Sequence, residues 1–136
     1  MPSKENPVCA TSPTTVASPE QVRPSILCVD DSEDILLICR TVLESGGYQV
    51  FTAASGAEAL QLLQNHSVDA AVIDSMMPGM CGHDLAREIK RVANVPIIMF
   101  SSSELPGEIL PHVDSYLSKG QGPLALRKLV GVLLHR

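Results

Sequence analysis

The sequence predicts a single α/β domain in which helices cover both faces of a five-stranded parallel sheet. Short apolar runs alternate with helical periodicities five times between residues 25 and 136,. The strand-like runs are almost free of charge, as expected for strands that are buried on both faces. A length of 136 residues leaves room for one domain of ordinary size,. Together these observations favour a doubly wound (βα)5 sandwich.

The first two βα units share a plan of apolar strand, capped helix start and one apolar helix face. We predict strands over residues 26–29 and 48–53,. Ser32 and Ser55 stand where helix N-caps are expected, and Glu58 completes a capping box with Ser55,. The residues that we expect these two helices to turn toward the core are Ile35, Ile38, Cys39, Val42, Leu60 and Leu63,.

The later units follow the same plan, with strands predicted over residues 70–74, 96–101 and 115–118,. Gly122-Pro123 is typical of a helix start and opens the last helix,. The residues expected to face the core from the third and last helices are Leu85, Ile89, Val92, Leu126, Leu129, Val130 and Leu133,.

The segment between the fourth and fifth strands departs from this plan. Pro106, Gly107 and Pro111 fall in a stretch that is short for a full helix. Proline in a helix interior removes a hydrogen bond and clashes with the preceding turn. We therefore expect the fourth helix to be short or irregular.

Composition separates a tail from the domain and excludes some partners. Residues 1–24 hold five prolines and little apolar mass, which predicts a disordered N-terminal tail before a domain over 25–136,. A net charge of -5 without clustered Lys or Arg argues against nucleic acid, and no apolar run is long enough for a membrane span,. The scattered cysteines, and the absence of a signal peptide, predict a cytoplasmic protein whose partners are other proteins. We expect the four histidines to lie on the surface.

Polar residues stand where the predicted strands end. Asp30-Asp31 follows the first strand, Asp74 ends the third, Ser101 the fourth and Lys119 the fifth. In the flavodoxin-like strand order 2-1-3-4-5 these ends lie side by side, at the edge where ligands bind. Three acids so close together would raise one another's pKa unless a cation lay between them. An all-oxygen donor set suits Mg²⁺.

These residues resemble the receiver domains of two-component response regulators, in particular single-domain, chemotaxis-regulator-like ones. The resemblance covers residues 25–136 and rests on four motifs in combination. They are Val29-Asp30-Asp31, Asp74-Ser75-Met76-Met77-Pro78-Gly79-Met80-Cys81-Gly82, Pro96-Ile97-Ile98-Met99-Phe100-Ser101-Ser102 and Tyr116-Leu117-Ser118-Lys119.

The resemblance implies a role for each site residue. Asp74 would be the phosphoacceptor, and Asp31, Asp74 and the main-chain carbonyl of Met76 would ligate Mg²⁺, with Asp30 acting through metal-bound water. Lys119 would pair with the phosphoryl group and the carboxylate. Ser101 and Tyr116 would form the switch that reports phosphorylation. These residues are Asp30, Asp31, Asp74, Met76, Ser101, Tyr116 and Lys119.

The implied partners are a sensor histidine kinase or phosphotransfer protein and an unidentified downstream protein. Because the chain ends after the last predicted helix, we expect a stand-alone receiver that is no enzyme beyond its own phosphorylation and dephosphorylation. Two alternatives stay open, namely a phosphorylation-independent interaction module and a small Mg²⁺-dependent phosphohydrolase with an aspartate nucleophile. Gly120 stands where the family usually has proline, and we expect a trans peptide bond there,.

Overall fold

Five strands and four α-helices alternate along the residues that the computed structural model describes, 23–102 and 112–135. The strands are β1 (Ser25–Val29), β2 (Gln49–Ala53), β3 (Ala70–Ile73), β4 (Ile97–Ser101) and β5 (Ser115–Ser118). The helices are α1 (Glu33–Ser45), α2 (Gly56–Asn65), α3 (Gly82–Val92) and α4 (Pro123–His135), with a short 3-10 helix at Lys119–Gln121. The predicted strand bounds agree to within one residue, since hydrogen-bond pairing decides the terminal residues.

The strands form one parallel sheet in the order β2-β1-β3-β4-β5, which confirms the predicted doubly wound topology. Val29 lies opposite both Ala53 and Ile73, so β1, β2 and β3 end at the same level. Main-chain hydrogen bonds continue the register past the strands, because the N–H of Asp30 donates to Ala53 at 3.1 Å and that of Asp74 donates to Val29 at 2.9 Å. The residues after β1 and β3 are therefore neighbours.

The sheet has a hydrophobic core on each face, because alternate side chains of every strand point to opposite sides. Ile26 and Cys28 of β1 belong to the core that α1 and α4 cover, whereas Leu27 and Val29 belong to the core that α2 and α3 cover. Every residue of β3 and β4 is buried, but β5 is half-buried. The central strands are thus the best shielded part of the sheet.

The first of these cores contains two buried free thiols, Cys28 on β1 and Cys39 on α1. The two thiols form a hydrogen bond, which together with burial raises the pKa of Cys28. The same hydrogen bond lowers the pKa of Cys39. Both residues fill the core, as the sequence predicted, and Cys81 is exposed.

The predicted capping residues begin their helices. Ser55 Oγ accepts a hydrogen bond from the N–H of Glu58 at 3.1 Å, and the Glu58 carboxylate accepts one from the N–H of Ala54 at 2.6 Å. Ser32 Oγ accepts from the N–H of Ile35 at 3.4 Å. These contacts satisfy donors that the first helical turn leaves unpaired.

The predicted apolar faces of α1 and α3 are partly wrong. The buried residues of α1 are Leu36, Cys39 and Leu43, while Ile38 is exposed. Four consecutive apolar residues, 35–38, leave the phase of the apolar face ambiguous, and packing chose the face centred on Leu36. Val92 is also exposed, because it is the final residue of α3 and no further turn shields it.

Two predictions fall on residues outside the described ranges. Residues 1–22 of the predicted N-terminal tail (residues 1–24) and residues 103–111, where a short or irregular fourth helix is expected, are not described. Both stay predictions, as does the domain boundary at residue 25. Among the described helices, none is long and apolar enough to cross a membrane.

Candidate functional site

Three carboxylates meet at the carboxyl ends of β1 and β3. Oxygens of Asp30, Asp31 and Asp74 all lie within 4.8 Å of one another. Asp30 and Asp74 are only 4% and 6% exposed, whereas Asp31 is exposed to solvent. The parallel register brings these residues together, since Asp30 and Asp74 each follow the last paired residue of their strand.

Lys119 follows β5, the edge strand two positions from β3, and its side chain reaches back to this acidic cluster. Its Nζ lies 2.7 Å from Asp30 Oδ2 and 3.4 Å from Asp74 Oδ1. The 3-10 helix that follows β5 sets its position, because Ser118 Oγ accepts a hydrogen bond from the N–H of Gly120 at 3.1 Å. No cis peptide bond occurs among the described residues, which confirms the trans bond predicted before Gly120.

The two carboxylates that flank Lys119 differ in their partners. Asp30 is held at both oxygens, because Oδ1 accepts from the N–H of Ser32 at 2.9 Å and Oδ2 binds Lys119. Asp74 has the longer contact with Lys119, at 3.4 Å. Asp74 also accepts a hydrogen bond from the main chain of Met76. Its looser contact with the Lys119 ammonium leaves its carboxylate the better placed of the two to react or to bind a cation directly.

Burial and charge shift the ionisation of this group. Burial, followed by the negative charge of Asp30, raises the pKa of Asp74, although Lys119 and the main chain of Met76 act in the opposite sense. Burial alone would lower the pKa of Lys119, but its hydrogen bond with Asp30 and the charges of Asp30 and Asp74 outweigh burial and raise it. Lys119 thus keeps its proton beside the acids.

A divalent cation fits this donor set. Three carboxylates set against one ammonium leave two negative charges without a counter-charge, and Asp30 and Asp74 are buried. Buried charges are costly unless they are paired. Carboxylate oxygens are the ligands that Mg²⁺ prefers, and it commonly keeps several waters. The exposed side of the cluster, at Asp31, leaves room for such waters.

The loop after β3 folds tightly against Asp74. The N–H of Gly82 donates to the Ser75 carbonyl at 3.0 Å, and a Cβ on Gly82 would overlap the main-chain oxygen of Asp74. Only glycine fits this approach. Met76 turns its side chain outward, 70% exposed, while its main chain hydrogen-bonds the Asp74 carboxylate. The close approach at Gly82 was missed in the sequence.

Ser101 and Tyr116, the two predicted switch residues, each hydrogen-bond a residue that sequence reasoning missed. Ser101 is buried at the end of β4, with its Oγ 2.7 Å from Ser75 Oγ. The Tyr116 hydroxyl lies 3.3 Å from Nε2 of His83. His83, predicted as a surface residue, is instead partly buried. The strand register could have revealed Ser75, because Ile73 pairs with Met99 and the same spacing carries Ser75 to Ser101.

Comparison with known proteins assigns the chain to a family. The model of the response regulator receiver domain matches residues 26–130. Among curated proteins, the response regulator SaeR of Staphylococcus aureus is 36% identical over 116 residues, and the probable transcriptional regulator ycf27 of Cyanidium caldarium is 35% identical over 118. Each match covers 82% of this chain but 50% and 46% of the respective relative. The chain spans about half the length of these relatives, so its working alone stays a prediction.

Several solved structures are similar to this chain in both fold and sequence. The response regulator TrrA of Thermotoga maritima, in complex with Mg²⁺-BeF, superposes with a TM-score of 0.75 at 30% identity, covering 82% of this chain and 99% of TrrA. The receiver domain of the Francisella response regulator 1452 gives a TM-score of 0.75 at 30% identity, covering 84% and 98%. A family match over most of the chain, and the same fold in relatives of this identity, show that this chain belongs to the response regulator receiver domains of two-component signalling.

Proposed function

We propose that this receiver accepts a phosphoryl group on Asp74, in a Mg²⁺-dependent reaction, from a sensor histidine kinase or a phosphotransfer protein. The observation that carries the proposal is the convergence of Asp30, Asp31 and Asp74 with Lys119 at one edge of the sheet. TrrA, which is similar to this chain, has been crystallised with Mg²⁺-BeF and with the histidine kinase ThkA. By this similarity, a histidine kinase is an expected partner here.

Asp31, Asp74 and the main-chain carbonyl of Met76 would hold the cation, and Asp30 would act through a water of its shell. The geometry supports this division, since both oxygens of Asp30 already bind protein groups. When bound, Mg²⁺ would neutralise charge that develops on the phosphoryl oxygens.

The chain's own residues would then position the reaction. An oxygen of Asp74 forms the new bond to phosphorus while the bond from phosphorus to the donor's imidazole nitrogen breaks, and the electron pair of that bond returns to the imidazole. Asp74 must be a carboxylate to attack, and the ammonium of Lys119, 3.4 Å away, favours that form. Lys119 also offers donors to the phosphoryl oxygens.

The signal would leave the site through Ser101 and Tyr116. A phosphoryl group on Asp74 presents strong acceptor oxygens that attract the Ser101 hydroxyl. Movement of Ser101 changes the space on the sheet face that it shares with Tyr116, whose partner on β4 is Met99, two residues before Ser101. We propose that the resulting shift of a pre-existing equilibrium alters contacts with a downstream protein. In this proposal the receiver acts in the cytoplasm, and it is no enzyme beyond its own phosphorylation cycle.

Treatment with acetyl phosphate plus Mg²⁺ tests the proposal, with Asp74→Asn as the matched control. We expect a mass increase of one phosphoryl group in the parent that is lost without Mg²⁺ and in the variant. No modification of the parent under any condition would point to a phosphorylation-independent module. Rapid hydrolysis of varied phosphate esters would point to a phosphohydrolase, although Met76 stands where such enzymes carry a second acid.

A further inference from the structure

Both switch residues are held by one stretch of chain, residues 75–83, which we call the β3–α3 segment. Ser75, at its start, hydrogen-bonds Ser101 at 2.7 Å, and His83, at its end, hydrogen-bonds Tyr116 at 3.3 Å. Ser101 and Tyr116 lie on different strands, β4 and β5. The segment that begins next to the phosphoacceptor therefore contacts both of them directly.

The two ends of the β3–α3 segment are themselves joined. The N–H of Gly82 donates to the Ser75 carbonyl at 3.0 Å. Gly82 is buried and so close to Asp74 and Ser75 that even a Cβ would not fit between them. A displacement of Ser75 must therefore move Gly82, and His83 is the next residue. The packing links the Ser101 bond to the Tyr116 bond without passing through β4.

The hydrogen bonds that Ser101 can make determine which conformation the loss of Ser75 would favour. A serine hydroxyl has one proton to donate. Either hydroxyl can be the donor between Ser75 and Ser101. Where Ser101 donates, it must give up that bond to donate to a phosphoryl oxygen on Asp74; where Ser75 donates, movement of Ser101 toward the phosphoryl group lengthens their 2.7 Å contact. Either change disturbs an arrangement that the protein without a phosphoryl group has already formed. Removing Ser75 should therefore favour the phosphorylated conformation.

We infer that Ser75 and His83 are positioning residues, whose hydrogen bonds hold Ser101 and Tyr116 in the unphosphorylated conformation and are coupled through Gly82. The inference rests on the proposed function for its consequence in signalling. The coupling of Ser75 to Tyr116, by contrast, is a property of the unphosphorylated protein and does not depend on phosphorylation.

The first measurement uses the metal-free protein with isotope-labelled tyrosine. The chain has two tyrosines, and Tyr48 lies in the core on the other face of the sheet, so its NMR ring signals provide an internal control. We expect Ser75→Ala to shift the ring signals of Tyr116 but not those of Tyr48, and Ser75→Thr, which keeps the hydroxyl, to restore them. Unchanged Tyr116 signals in a folded Ser75→Ala protein would overturn the coupling.

The second measurement titrates beryllofluoride with Mg²⁺, as a mimic of the phosphoryl group. Because each variant lacks one resting-state hydrogen bond, we expect Ser75→Ala and His83→Phe to bind about two- to tenfold more tightly than the parent. Phenylalanine keeps the ring contact with Tyr116, whose centroid lies 6.1 Å from that of His83. Ser75→Thr should match the parent.

Weaker binding by Ser75→Ala would overturn the inference, since Ser75 would then orient Ser101 for the phosphoryl group and not restrain it. A parent that binds no beryllofluoride would contradict the proposed function instead. In that case the tyrosine signals still decide whether the β3–α3 segment couples its two ends. The two failures are therefore distinguishable.

Discussion

The two sides of the site are built differently. On the β1–β3 side, main-chain hydrogen bonds fix Asp30 and Asp74 directly after buried strands. On the β4–β5 side, Ser101 and Tyr116 are bound through side-chain hydrogen bonds, and β5 is only half-buried. A metal site benefits from ligands held in advance, whereas a switch needs contacts that can be exchanged. The comparison suggests that one side stays in place while the other responds.

The largest effect on stability should come from Lys119→Met, because the Lys119 side chain extends from the β4–β5 side to the acids of the β1–β3 side. It leaves Asp30 and Asp74 buried without their counter-charge, so we expect the metal-free protein to lose about 3 kcal/mol of unfolding free energy. Urea denaturation at neutral pH measures the loss, and added Mg²⁺ should recover part of it. Lys90→Met is the control, because its partner Asp114 is exposed and the cost should stay below about 1 kcal/mol,. Equal losses would contradict the comparison.

The next effect should come from Gly82→Ala, in the β3–α3 segment that links the two sides. The added methyl group would collide with main-chain atoms of Asp74 and Ser75, which cannot yield as a flexible side chain could. We expect a loss of about 2 kcal/mol in unfolding free energy, together with weaker Mg²⁺ binding. Gly120→Ala meets only Ser118 Oγ, at 3.4 Å, and should cost less than about 0.5 kcal/mol,. A Gly82→Ala protein as stable as Gly120→Ala would show that this loop can shift.

A smaller effect concerns pH. Because the folded-state pKa of Asp74 is raised, the folded metal-free protein binds this proton more tightly than the unfolded chain does. Stability from this group is therefore lost as pH rises from the unfolded pKa through the folded one. Asp74→Asn should stabilise the metal-free protein at neutral pH, by on the order of 1 kcal/mol, since Lys119 already offsets much of the repulsion from Asp30.

Urea denaturation of the parent and Asp74→Asn, measured side by side from mildly acidic to neutral pH without Mg²⁺, checks this sign. The difference in unfolding free energy between the two proteins should shrink on acidification. Because the two proteins share every other titrating group, this difference reports on Asp74. A variant that is less stable than the parent at neutral pH would mean that the carboxylate stabilises the empty site.

The smallest effect on stability should come from Asp31→Asn. Asp31 is exposed, so we expect its replacement to change the unfolding free energy by less than about 0.5 kcal/mol without Mg²⁺,. Loss of even an indirect contact commonly weakens metal binding about 10- to 100-fold, and loss of a direct ligand should do at least as much. Isothermal titration with Mg²⁺ tests this expectation. Unchanged affinity would remove Asp31 from the ligand set.

The sequence predicted best what depends on strand order and worst what depends on side-chain packing. Asp30, Asp74 and Lys119 could be brought together because parallel strands end at one edge. It could not be foreseen that Lys119 approaches Asp30 more closely than Asp74, since side-chain torsions decide which oxygen it meets. The pairing of His83 with Tyr116 likewise joins residues 33 positions apart and has no local pattern.

The buried thiols have a practical consequence. Cys28 belongs to β1 and Cys39 to α1, so a bulky alkylating reagent can reach either one only when the first helix separates from the sheet. With Cys9 and Cys81 replaced by serine, the rate of modification would report how often that separation occurs. A slower modification rate after addition of Mg²⁺ or beryllofluoride would show that ligand binding stabilises the packing of α1 on the sheet, whereas an unchanged rate would confine the effect to the site. The two native thiols can thus serve as probes of how often α1 separates from the sheet.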